Sequence, residues 1–214
     1  MCFSAQASFT ASGILLLVGI LTIQINKRKE LKILSLMPLL FSIQQFFEGI
    51  LWLTLQNEVL PTIQTISKVI FLIFAILIWP VYVSLSLEKL EKKTLRQKIL
   101  NTIYRFSVIW FIGASIYMIL YVPSAEICEG HIAYSIPISG IIATFAFFTY
   151  FIFTILPFFI TSNRKLNYFG IAVIITAIGA YLFYSAYFTS VWCYFAAIIS
   201  MFILYIIKLE NEKD

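Results

Sequence analysis

Three features of the sequence predict an all-α integral membrane protein: a seven-helix bundle with its N-terminus outside and its C-terminus in the cytoplasm. The first is composition. Of 214 residues, 61% are hydrophobic and 12% charged, and the mean hydropathy is +0.96. A soluble domain carries about 25% charged residues. A chain with half that share cannot cover a water-facing surface, so lipid is the solvent for most of it. The second is the recurrence of apolar runs of about 20 residues, the length a helix needs to cross roughly 30 Å of hydrocarbon. The third is the confinement of basic residues to alternate loops.

The runs are read in order. The first, 4–25, follows no basic stretch, so it reads as a retained span rather than a removable signal peptide. The second is 33–55, the third 62–87, the fourth 99–122 and the fifth 137–161. The last two, 168–187 and 191–207, are separated only by Phe188 to Ser190. Merging them would give about 40 apolar residues, too many for one crossing, so seven is the count and six the fallback. Pro38, Pro80 and Pro157 are placed to kink their helices. No repeat or linker divides the chain, so residues 1–214 read as a single transmembrane helical domain.

Orientation follows from charge. Lys27, Arg28, Lys29 and Lys32 fill the first loop; Lys89, Lys92, Lys93, Arg96 and Lys98 the third; Arg164 and Lys165 the fifth; Lys208 and Lys213 the tail. The intervening loops hold none, which puts the basic loops in the cytoplasm. The net charge of +5 does not point to nucleic acid, because no basic domain exists to hold a duplex.

One loop breaks the pattern. Residues 126–131 read E-I-C-E-G-H, with two acids, a cysteine and the only histidine of the chain, and they fall on the outer side. Cys2 opens the first helix there and Cys193 starts the last, so all three cysteines share that side with His131. The small residues Ser4, Ala5, Ser8, Ala11 and Ser12 suit a close approach to Cys193, Ala196, Ala197 and Ser200, which would bring Cys2 to Cys193. Zinc or copper needs three or four Cys, His or carboxylate ligands. Cys2, Cys128, Cys193 and His131 are the candidate metal ligands. The competing reading is a disulfide from Cys128 to Cys2 or Cys193 in an oxidising compartment.

The second informative stretch is S-I-Q-Q-F-F-E-G-I-L-W-L. Gln45, Glu48 and Trp52 share one helical face, and Gln44 adds to it. A charge that deep costs about 2.5 kcal/mol or more against lipid. Glu48 therefore faces the bundle, as a general base for a metal-bound water or as a proton site. Lys68 either snorkels or serves as its counter-ion. Tyr181, Tyr184 and Trp192 are candidates to line the same pocket, or belong to an interfacial aromatic belt.

The opening M-C-F-S-A-Q-A-S-F, the Q-Q-F-F-E-G-I-L-W stretch, the loop histidine and the late Trp-Cys pair resemble a family of small bacterial polytopic membrane proteins that begin M-C-F-S-A-x-A-S-F. The family has no established activity. The resemblance implies a bacterial inner membrane and groups Cys2, Glu48, His131 and Cys193. The leading functional expectation is an outward-facing polar pocket that binds zinc or copper and performs hydrolytic or redox chemistry on a small-molecule or lipid substrate. The alternatives are a small-solute or ion binding and transport module using Glu48, and an accessory membrane protein stapled by a disulfide. Oligomeric state is left open.

Overall fold

Helix α1 (Ala5–Ile25) begins where Ser4 caps it, its Oγ accepting the Ala7 N–H at 3.2 Å. The computed structural model describes residues 4–57 and 59–212, so Cys2 lies outside the described residues. The buried stripe of α1 is Ala5, Ser8, Ala11, Ser12, Leu15, Gly19 and Thr22. It packs chiefly on α2 (Met37–Asn57). Ser12 Oγ donates to the Ser42 carbonyl at 2.9 Å, and Ser42 Oγ returns the bond to the Ser12 carbonyl at 2.8 Å. Reciprocal bonds of this kind need backbones close together, which the small residues permit. The small stripe thus finds its main partner in the second span, and only a lesser contact in the last.

The third crossing, Pro61–Leu90, is built from α3 (Pro61–Leu72), a π-helical turn over Ile73–Ile78 and α4 (Trp79–Leu90). Next come α5 (Thr94–Leu120), the hairpin strands β1 (Ser124–Cys128) and β2 (His131–Ser135), α6 (Gly140–Thr154) and α7 (Leu156–Ile160). Pro80 explains much of the π turn. It has no N–H for the Ile76 carbonyl, and Trp110 Nε1 of α5 takes that carbonyl at 3.0 Å. The Trp79 N–H reaches back five residues to Phe74, which frees the Ala75 carbonyl for the Tyr150 hydroxyl of α6 at 2.7 Å. The proline therefore sets a docking point for two other helices. Pro157 lies just past the break between α6 and α7, where Ile155 leaves helical register. Pro38 does not kink its helix. It falls in the first turn of α2, where a missing N–H costs nothing.

Among the described residues, six helical stretches are long and apolar enough to cross a membrane. The last runs from Arg164 to Asn211 and contains α8 (Arg164–Tyr184), a tight turn at Ser185–Tyr187, α9 (Phe188–Ser200) and α10 (Phe202–Asn211). It does not run straight. Lys165 Nζ, near its start, meets Glu210 Oε1, near its end, at 3.0 Å. Helix α5 is the least enclosed: 6% of its most apolar stretch is buried, against 61% for the second and third crossings. It stands at the rim of the molecule.

The basic loops gather at one end. Arg28 lies 3.9 Å from Glu210, and Asn211 Nδ2 donates to the Ile25 carbonyl at 2.7 Å. Arg96 Nη1 donates to the carbonyls of Ile160 and Thr161, each at 3.0 Å. Glu91 accepts from Lys93 N at 2.8 Å and from Ser162 N at 2.5 Å, so one carboxylate ties the loop after α4 to the loop before α8. Burial pushes the Glu91 carboxyl up, but these donors outweigh it and hold it below its ordinary value. Its stabilising effect is present above the unfolded carboxyl value of about 4.3 and is lost as pH falls through the lower folded value. We expect Glu91→Ala to cost roughly 1.5–3 kcal/mol, the range for bonds to a charged acceptor, because the side chain is 4% exposed and its loss leaves the donors of Lys93 and Ser162 unmet. Thermal unfolding in detergent should show the loss at pH 7 and a smaller one below pH 4.

Candidate functional site

Helical spacing puts Gln44, Gln45, Glu48 and Trp52 on the inner face of α2, and all four are buried. Glu48 is 1% exposed. Its two oxygens meet two neutral donors: Ser190 Oγ of α9 at 2.5 Å and Gln45 Nε2 at 3.0 Å. Among the described residues no basic group pairs with it, Lys68 included. Gln44 lies beside them on the same face: its Oε1 accepts from Trp79 Nε1 at 2.8 Å, and its Nε2 has no hydrogen-bond partner among the described residues. Tyr134 of β2 stacks on Phe71 with centroids 4.8 Å apart. Burial first, then the nearby Glu48 and Cys193, push its hydroxyl well above the usual phenol value, so it stays a neutral donor. That hydroxyl, Gln45 Oε1 and Trp192 Nε1 have no hydrogen-bond partner among the described residues.

Ser190 is the residue the sequence reading missed. It sits in the short break between the last two apolar runs, and nothing in that stretch marks a serine as a partner for an acid in the second span. What makes it one is the sharp turn at Ser185–Tyr187, which returns the start of α9 to the bundle.

The E-I-C-E-G-H stretch is the tip of a β-hairpin. Cys128 and His131 are cross-strand partners, and Glu129 and Gly130 form the two-residue turn with φ of 50° and 77°. The His131 ring stacks on Tyr187 at 4.8 Å and leans on Tyr184 at 5.0 Å. The Tyr187 hydroxyl donates to Glu129 Oε2 at 3.2 Å. Burial lowers the His131 pKa below its ordinary value, against the opposing pull of the Glu129 carboxylate. A lowered histidine favours the fold above its unfolded value near 6.5, and that share is lost as pH falls. The protection of the β1 and β2 amides, taken relative to the intrinsic exchange rate at each pH, should therefore fall between pH 7 and 5, and less so in His131→Phe.

Of the candidate metal ligands among the described residues, Cys128 and His131 pair across the hairpin while Cys193 stands apart, inside the bundle. Cys128 is an exposed free thiol on the hairpin, and Cys193 is a buried free thiol inside the bundle, so these two are not joined as a disulfide. Among the described residues no three His, Cys, Asp or Glu side chains gather as a metal centre requires. The ligand set of the sequence reading divides because β1 turns Cys128 outward while α9 turns Cys193 inward. Tyr181 is 57% exposed and stands apart from Glu48, as an aromatic belt residue would. Trp192 is buried, but under Phe151 and Phe188 rather than against the carboxyl group.

Two voids approach the network. A small cavity of about 50 Å³ is walled by Phe41, Trp79, Tyr150, Trp192 and Cys193 among others. A cleft of about 470 Å³ opens between α5, α6 and α9 and shares Tyr150, Trp192 and Cys193 with it. Trp79, in the wall of the small cavity, also bonds Gln44, one helical turn from Glu48 on α2. The family model that matches the chain covers residues 1–213. The chain belongs to a family of unknown function, DUF6629. No curated protein and no solved structure matches it. For this DUF6629 member the chemistry must be read from the site itself. A buried carboxyl group held by a hydroxyl and an amide can exchange a proton or take a small cation. Among the described residues no nucleophile–histidine pair stands beside it for acyl transfer.

Proposed function

We propose that this protein is a seven-span bundle of a bacterial inner membrane, N-terminus outside, that binds and moves a proton or small cation through Glu48. One observation carries the reading: an acid inside the membrane-crossing region, 1% exposed, met by two neutral donors. An intramembrane acid of this kind is costly, so its presence points to a functional site. Two further observations favour seven spans over six. A straight helix of 48 residues would measure about 72 Å, more than twice the hydrocarbon thickness. The Lys165–Glu210 ion pair instead brings the two ends of that stretch together. The clustering of Arg28, Arg96, Lys165 and their partners at one end favours the orientation, since basic loops stay in the cytoplasm.

The test is proton flux. Proteoliposomes holding an internal pH dye are given an acid jump, with and without sodium or potassium outside. Wild-type protein should pass protons or exchange them for the cation, and Glu48→Gln should not. A hydrophobic carbodiimide, which modifies protonated carboxyl groups in membranes, should label Glu48 in the wild type, less so as pH rises. No flux together with no labelling of Glu48 would overturn the reading.

A further inference from the structure

At the basic end of the bundle a groove of about 300 Å³ runs between α8 and α10, independent of the Glu48 reading. Phe169, Ala172 and Ile206 give it an apolar floor. Tyr168 and Tyr205 form its rim, 69% and 60% exposed, and Lys165 is the one charged side chain in its lining. Helical spacing makes the arrangement. Lys165, Tyr168 and Ala172 fall at i, i+3 and i+7, so α8 presents a single stripe with its cation at the start of the helix. The end of α10 meets that start, and the Lys165–Glu210 pair at 3.0 Å marks the shared level.

Two more cations flank the same end. Arg164 precedes Tyr168 by one turn on α8, and Lys208 follows Tyr205 by one turn on α10. Both are exposed, and neither meets a carboxylate among the described residues. Lys165 shares Glu210 with Arg28, which comes within 3.9 Å of the same carboxylate. One carboxylate between two cations leaves positive charge over, and an ammonium has three donors to place. Glu212, one turn beyond Lys208, is the other acid at this end of α10, so cations still outnumber acids. The exposed hydroxyls of Tyr168 and Tyr205 make no hydrogen bond among the described residues.

Charge and apolarity in one place select the occupant. A soluble anion would leave the floor of the groove bare, and a lipid without net charge would leave the cations unanswered. A molecule with a long apolar chain and an anionic phosphate at one end meets both, and basic pockets between membrane helices suit such head groups. We propose that the groove holds an anionic glycerophospholipid from the leaflet at the basic end. One acyl chain lies along Ala172 and Ile206, and the phosphate sits among Arg164, Lys165 and Lys208. The hydroxyls of Tyr168 and Tyr205 donate to its phosphate and glycerol-ester oxygens.

The test titrates the full chain in detergent with phosphatidylglycerol and, separately, with phosphatidylethanolamine of the same acyl chains, counting bound lipid by native mass spectrometry. The first phosphatidylglycerol should bind at least tenfold more tightly than the first phosphatidylethanolamine. Ala172→Trp fills the floor and keeps every cation; it should weaken that binding about tenfold. Arg164→Gln combined with Lys208→Gln keeps the floor and should reduce the preference at least fivefold. Lys92→Gln combined with Lys98→Gln removes the same charge from exposed positions outside the groove and should leave the preference as in wild type. Equal affinity of wild type for the two lipids would overturn the site, as would a preference unchanged in both groove variants. A loss as great in the Lys92 and Lys98 variant would reduce the site to diffuse attraction. Displacement of the bound lipid by inorganic phosphate at matched concentration would overturn the lipid in favour of a free anion.

Discussion

Replacing Gly19 with valine will disrupt the pairing of the first two helices. A Cβ at Gly19 would stand 2.7 Å from the Leu39 amide nitrogen and 2.9 Å from its Cα. Backbone atoms cannot yield as a flexible side-chain tip can, so the helices must separate. Separation also breaks the reciprocal Ser12–Ser42 bonds, which hold only at close approach. Overpacking of a tight contact costs about 1–3 kcal/mol, occasionally more, and the two buried bonds add roughly 1 kcal/mol each. The measurement is thermal unfolding in mild detergent with gel filtration of the same sample. Gly13→Val is the control: it lies on the same helix, and a Cβ there meets nothing within 4 Å. It should behave as wild type. Equal stability of the two variants would refute the claim that α1 and α2 meet backbone to backbone.

Much of the bundle was legible because lipid imposes a simple rule. Each crossing must be apolar and about 20 residues long, and one end of it is marked by basic residues. The helices therefore begin and end within a few residues of the apolar runs. What escaped was set by contacts between distant parts of the chain. The partner of the small stripe on α1 was undetermined, because several helices offered small residues and only Gly19 against Leu39 decides between them. The hairpin was hidden in ten strand residues split about a Glu-Gly turn, although the alternation in S-A-E-I-C and H-I-A-Y-S was a fair signal. Pro80 announced a distortion but not its use as a dock for Trp110 and Tyr150. Glu48 stood out, since a lone acid in an apolar run is conspicuous. Ser190, its strongest partner, did not, because serine is common in membrane helices and the donor lies 142 positions away.

Glu48→Ala and Glu48→Gln should part company, and their difference separates folding from function. Alanine removes both acceptors, leaving Ser190 Oγ and Gln45 Nε2 buried without partners. Each unmet donor costs about 1–3 kcal/mol, and the vacated volume adds to it. A loss of about 3 kcal/mol or more is expected, visible as a lower unfolding temperature and poorer recovery from detergent. Glutamine keeps the volume and one oxygen for Ser190. Its new amide would confront Gln45 Nε2, donor against donor, but Gln45 can turn its side-chain amide over. The Gln45 Oε1 has no partner to lose by doing so, and it then accepts from the new amide. Glu48→Gln should therefore fold within about 1 kcal/mol of wild type. It cannot bind or release a proton, so the flux expected of wild type should vanish. A stable Glu48→Gln protein that still moves protons would leave the carboxyl group a structural role alone. A Glu48→Gln protein as unstable as Glu48→Ala would show that the charge, and not the hydrogen bonds, holds α2 to α9.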